Sequence, residues 1–150
     1  MDRVVVQNIL NSIYSEIKGF SDSYIQYISW NGLSPKYADS FDETIMSYDD
    51  FEVDNFLIQN HILYEMDDTL SNALKTFNRK VDAYAQYVWS DDSERNIPSV
   101  ILSDPKWHEI QQMAAKITVL WDENPPKVLI RKSSISAYLP PTSDAAGESR

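Results

Sequence analysis

The sequence predicts a mainly α, bundle-like single domain, and two observations carry that expectation. Leu70, Leu74, Phe77, Val81, Tyr84 and Val88 step by fours and threes, and Trp107, Ile110, Met113, Ala114, Ile117, Leu120 and Trp121 form a second such stripe. This is the period of a helix that buries one face. Glycine occurs at only three positions, Gly19, Gly32 and Gly147, so tight hairpins and phosphate-cradling loops have almost no raw material. A chain of 150 residues with 43% hydrophobic content can close one full core. One globular unit over 1–139 is expected, and the segment 140–150, PPTSDAAGESR, has the composition of a disordered tail.

The elements follow in order. A first helix is expected over 2–18, where Val6, Ile9, Leu10, Ile13 and Ile17 share a face and Gly19 stands where a C-terminus favours positive φ. Residues 23–30 fit a helix through Tyr24, Tyr27 and Ile28 but also alternate like a strand. Asn31-Gly32 reads as a turn, and 31–42, with Pro35, as a loop. Asp49 or Asp50 is the expected cap of a helix through Phe51, Val53, Phe56, Leu57, His61 and Tyr64. Asp67 and Asp68 open the long helix 67–89, while Asp104 caps and Pro105 begins a helix over 105–121. Residues 99–102 and 127–132 are rich in β-branched or aliphatic side chains and bracket that helix, an order that permits a parallel pair with a right-handed crossover. With an edge strand over 135–139, a minor β element near 99–102 and 127–139 is expected, and α+β is the alternative class.

Charge is concentrated. Ten carboxylates (Asp39, Asp42, Glu43, Asp49, Asp50, Glu52, Asp54, Glu65, Asp67 and Asp68) lie between Tyr37 and Leu74 with no Lys or Arg among them, whereas acids and bases balance elsewhere. The whole net charge of −10 therefore belongs to this window. Such a single-sign field speeds docking of an oppositely charged partner. Aromatic residues interleave with the acids, and interface cores favour aromatic anchors inside a charged rim. The expected partner-binding residues are Tyr37, Asp39, Phe41, Asp42, Glu43, Tyr48, Asp49, Asp50, Glu52 and Asp54, with Tyr37, Phe41 and Tyr48 as loop-borne anchors.

No sequence pattern points to catalysis. The absence of cysteine removes disulfides, thiolate nucleophiles and cysteine-based zinc sites. His61 with Glu65, and Asp104 with His108, have the four-residue spacing that would place each pair on one helix face. Neither pair sits in a metal-binding or acid–base motif, and both histidines read as surface or interface residues. Lys75, Arg79 and Lys80 form a small basic group, read as exposed helix residues that pair with Asp82 or with acids of the window rather than as a phosphate contact. At net −10 direct nucleic-acid binding is disfavoured. No stretch reads as a signal peptide or membrane span, so a soluble, cytoplasmic protein without a cofactor is expected.

Small, acidic, cysteine-free and α-rich, the chain resembles in character the colicin-nuclease immunity proteins, though it shares no motif with them. That resemblance implies a tight protein partner. The expected function is an acidic, non-enzymatic inhibitor or immunity protein that occludes a basic effector such as a nuclease toxin. The alternatives are a phage or plasmid inhibitor that imitates nucleic acid, a secretion or assembly chaperone, a small helical enzyme using His61 or His108, and a viral accessory protein.

Overall fold

A computed structural model of the chain describes residues 2–90 and 94–129. The expected edge strand 135–139 and tail 140–150 lie outside them. The fold is mainly α with a minor two-stranded antiparallel sheet. The elements are α1 (Arg3–Phe20), α2 (Ser23–Trp30), α3 (Phe41–Asp49), α4 (Val53–Gln59), a 3₁₀ turn (His61–Leu63), β1 (Tyr64–Glu65), α5 (Asp68–Trp89), α6 (Pro98–Leu102), α7 (Pro105–Glu123) and β2 (Lys127–Val128).

The two stripes read from the sequence meet as anticipated. Leu70, Leu74, Phe77, Val81, Tyr84 and Val88 are buried on α5, and Trp107, Ile110, Ala114, Ile117 and Trp121 on α7. The two helices pack along one another, and α1 also packs against α7. Asp104 caps α7 by accepting from the Lys106 N–H at 2.9 Å, and its second oxygen takes the Tyr84 hydroxyl at 2.8 Å. The cap thus also ties α7 to α5.

Phe20 sits where these helices converge. Its ring meets Tyr48 and Phe77 edge-on and Trp107 at a tilt, with centroids 5.3–5.8 Å apart, within the range where aromatic pairs add to simple burial. Burial of Phe20 explains why α1 runs through Gly19, where the sequence suggested a stop. A large apolar side chain fully buried contributes about 1.5–3 kcal/mol, more than the roughly 1 kcal/mol cost of a helical glycine. Ser21 ends the helix, its N–H and hydroxyl both turned back to the Lys18 carbonyl.

The ambiguous segment 23–30 is helical. Asp22 caps it through the Ile25 N–H at 2.9 Å. Gln26 then fixes its position: its amide NH₂ donates to the Gly19 and Phe20 carbonyls at the end of α1, and its Oε1 accepts from Trp107 Nε1 and Gln111 Nε2 on α7. A buried side-chain amide with all its bonds made binds three helices together.

Three expectations are corrected. Residues 41–49 form a helix rather than ending a loop. Ser40 caps it: its hydroxyl oxygen accepts from the Glu43 N–H at 3.1 Å and its O–H donates to the Glu43 carboxylate at 3.4 Å, while the Ser40 N–H donates to Asp39 Oδ1 at 2.8 Å. Asp49 and Asp50 consequently close α3 instead of opening the next helix, and the segment expected as one helix through Tyr64 is α4, the 3₁₀ turn and β1. Residues 99–102 belong to α6, which Pro98 begins from its first turn. A parallel pair with 127–132 therefore does not form. Lys127 and Val128 pair antiparallel with Glu65 and Tyr64, and the Leu129 N–H extends the ladder to the Leu63 carbonyl at 2.9 Å.

Candidate functional site

Helix α3 is an amphipathic rod, and its flanks carry the acids. At about 100° per residue, Phe41, Ile45 and Tyr48 fall on one face and are buried. Asp42 and Asp49 fall on one side of that face, and Glu43 and Asp50 lie opposite it. Phe41 and Tyr48, expected as loop-borne contact anchors, are therefore core residues at 3% exposure each. Phe41 packs edge-on against Trp30, Tyr84 and Trp107, and the Tyr48 hydroxyl donates to Asn78 Oδ1 on α5. Tyr37 remains exposed, with the Lys36 ammonium over its ring at 5.6 Å.

The other predicted residues fall into separate groups. Asp42 is half-buried and structural: its Oδ1 accepts from Trp89 Nε1 at 2.8 Å and from Asn96 Nδ2 at 2.9 Å. Asp39 and Glu43 line a hollow between α1, α2 and α3 together with Glu16. Burial pushes the Glu16 carboxyl above its ordinary range; a bond from the Ser47 hydroxyl works against this and the Asp39 charge adds to it. Asp49, Glu52 and Asp54 line a second cleft of about 360 Å³ between the α3–α4 elbow and α5, joined there by Asp82. Asp50 is exposed beside it. The two hollows share no residue. Asp67 serves α5 as its cap.

Several features set the elbow apart. Asp49 and Asp50 stand at the C-terminal end of α3, where the helix already presents partial negative charge and its last turn holds no basic residue, whereas Asp54 lies in the first turn of α4, where the polarity favours it; Arg79 of α5 also lines the cleft. Glu52 has φ +44° and ψ 57°, a left-handed conformation costly for a residue with a Cβ. The Asp49 carboxyl is held above its ordinary range by burial, then by the charges of Asp82 and Asp50. Asp54 is oriented from within the core: Tyr48 donates to Asn78, whose Nδ2 donates to Asp54 Oδ1 at 2.7 Å. Among the described residues, none of the ten window carboxylates is within ion-pair distance of a Lys or Arg; the recorded pair is Lys80–Glu109 at 3.5 Å. The anticipated pairing of Lys75 and Arg79 with Asp82 or the window acids therefore does not occur.

The histidine pairs do not form. His61 lies in the 3₁₀ turn and Glu65 in β1, so their spacing is not helical. His108 Nε2 faces the Leu102 carbonyl at 2.7 Å, and the Asp104 carboxylate is occupied by Tyr84 and Lys106. Among the described residues no three His, Asp or Glu side chains are grouped to hold a metal ion, and no helix is long and apolar enough to cross a membrane. The sequence offers Asp82 only as a partner for the bases of α5 and gives no sign of Glu16; each is distant in the chain from the acids it joins, and only the packing of α1 and α5 against α3 and α4 brings them in. No family model matches the chain, and no curated protein or solved structure matches it significantly.

Proposed function

We propose that the chain is a soluble, cytoplasmic, non-catalytic binding protein whose acidic elbow receives cationic side chains of a basic protein partner. It would act as an inhibitor or immunity protein that covers the active surface of an effector such as a nuclease toxin. The observation that carries the reading is the set Asp49, Glu52, Asp54 and Asp82, gathered around one cleft with no ion pair to the Arg79 that also lines it, although helix polarity opposes Asp49 and backbone strain opposes Glu52. Local cost retained at a surface cluster is the usual mark of a working site. A Lys or Arg entering the cleft would relieve the mutual repulsion of these groups, and the field they project would steer the encounter.

The test takes the partner recovered from the native host and measures association by stopped flow at low and high ionic strength. The parent should lose on-rate steeply with salt, and the Asp49→Asn/Glu52→Gln/Asp54→Asn variant should associate at least about tenfold more slowly at low salt. An on-rate indifferent to salt and to the triple variant, or a partner whose contact surface is itself acidic, would overturn the reading in favour of an apolar, chaperone-like mode.

A further inference from the structure

Beside the acidic cleft, and sharing Asp54 and Arg79 with it, α4 and α5 border a larger groove of about 590 Å³ with an apolar wall. Ser71, Lys75 and Arg79 follow one another at four-residue steps on α5, so they stand in a row along one face over two turns. All three have hydrogen-bonding capacity to spare. The Ser71 hydroxyl and the Lys75 ammonium make no hydrogen bond or ion pair among the described residues. Among the described residues the Arg79 guanidinium makes two long bonds, 3.5 Å to the Lys75 carbonyl and 3.4 Å to Thr76 Oγ1. Facing this row are Leu57, Ile58 and the Tyr64 ring, whose hydroxyl is already taken by the Leu57 carbonyl at 2.8 Å. Ile58 is 68% exposed, an open apolar surface at the groove's edge.

We propose that this groove binds a small carboxylate bearing an apolar body, with the carboxylate on Lys75, Arg79 and Ser71 and the apolar part against Leu57, Ile58 and Tyr64. A guanidinium fork beside an ammonium matches the two oxygens of a carboxylate, and a groove with one charged end and one apolar wall is the usual form of a small-ligand site. Asp54 also lines the groove. Its charge, with those of the neighbouring cleft that Arg79 also lines, offsets the two cations of the row, which opposes a phosphate dianion and limits the site to a monoanion. His61 closes the end: its Nδ1 is 2.9 Å from the Ile58 carbonyl, which can only accept, so Nδ1 carries the proton and Nε2 is the ring's second polar atom. This inference goes beyond the binding reading above and does not depend on it.

The test is titration of the full-length protein with 3-phenylpropionate, followed by ¹H–¹⁵N NMR and calorimetry, alongside 3-phenylpropionamide and inorganic phosphate as comparison probes. The acid should bind saturably and shift the amides of 57–64 and 71–79, and the Lys75→Gln/Arg79→Gln variant should bind at least about tenfold more weakly. Both side chains are exposed, so the variant should keep its parent's circular dichroism and unfolding midpoint. The elbow variant Asp49→Asn/Glu52→Gln removes negative charge from the cleft that Arg79 also lines, so it should bind the acid at least as tightly as the parent while losing the partner, which separates this site from the partner surface. The proposal falls if the neutral amide or phosphate binds as tightly as the acid, if the shifts do not saturate, or if the double lysine–arginine variant binds unchanged.

Discussion

Replacing Glu52 by glycine should make the protein more stable while making it a poorer binder. Glu52 is the one non-glycine residue with positive φ among the described residues, at φ +44° and ψ 57°, and holding an L-residue there costs about 1–2 kcal/mol. Glycine removes that cost and gives back roughly 0.5–1 kcal/mol through the greater freedom of its unfolded chain. Nothing is lost at the start of α4, because Glu52 makes no side-chain capping bond. The net expectation is a gain of about 0.5–1 kcal/mol, or a rise in Tm of roughly 1–4 °C for a chain of this size. Urea unfolding at neutral pH, with an unchanged m-value, measures it. Glu52→Ala is the control, since alanine removes the charge and keeps the strain; it should move stability far less than glycine does. Equal gains from both would show that charge repulsion, not backbone conformation, is the cost at this position. No gain from glycine would refute the strain argument outright.

Two further outcomes follow from the packing. Gln26→Ala leaves the Trp107 N–H and the Phe20 carbonyl without their partner, while the Gly19 carbonyl keeps the Asp22 N–H; at about 1–3 kcal/mol for each stranded buried group, a loss of at least about 2 kcal/mol in denaturant unfolding is expected, and a loss under about 1 kcal/mol would mean water replaces the amide. Asp49 is protonated more readily in the folded state than in the unfolded one, because burial and the Asp82 and Asp50 charges raise its folded value. Its unfavourable contribution is therefore absent below the ordinary carboxylate range, grows as pH rises through the window up to the raised value, and is constant above it. Asp49→Asn should accordingly stabilise the protein at pH 7, by less than about 1 kcal/mol for so exposed a group, with no gain at low pH; a gain independent of pH would sink the assignment.

How far the fold could be read depended on whether an element carries its own signal. Helices α5 and α7 announce themselves through long seams and marked starts, and the structure places those seams face to face. Helix α3 was legible too, in Ser40-x-x-Glu43 and in the steps from Phe41 to Ile45 to Tyr48, but the acids around it invited another reading of its aromatics. An aromatic residue among carboxylates is equally an interface anchor or the inner face of an amphipathic helix, and spacing decides between them. Asp49 and Asp50 illustrate a second ambiguity, since acids beside a helix break can belong to either side of it. The strand candidate 99–102 was short and apolar, and Pro98 was the cue for a helix start. Of the candidate site, Asp49, Glu52 and Asp54 came from the charge window. Asp82 and Glu16, and the meeting of Ser71, Lys75 and Arg79 with α4, depend on contacts that no local pattern encodes.

The position of α7 has a consequence for folding order. Helix α1 can settle against α3 nearby in the chain, but its other large contact is with α7, across the whole stretch from Ser21 to Asp104. Contacts so distant in sequence are slow to form. Until they do, Val6, Leu10, Ile13 and Ile17, all at most 1% exposed in the finished fold, are only partly covered, and that interval is when the protein is most open to aggregation.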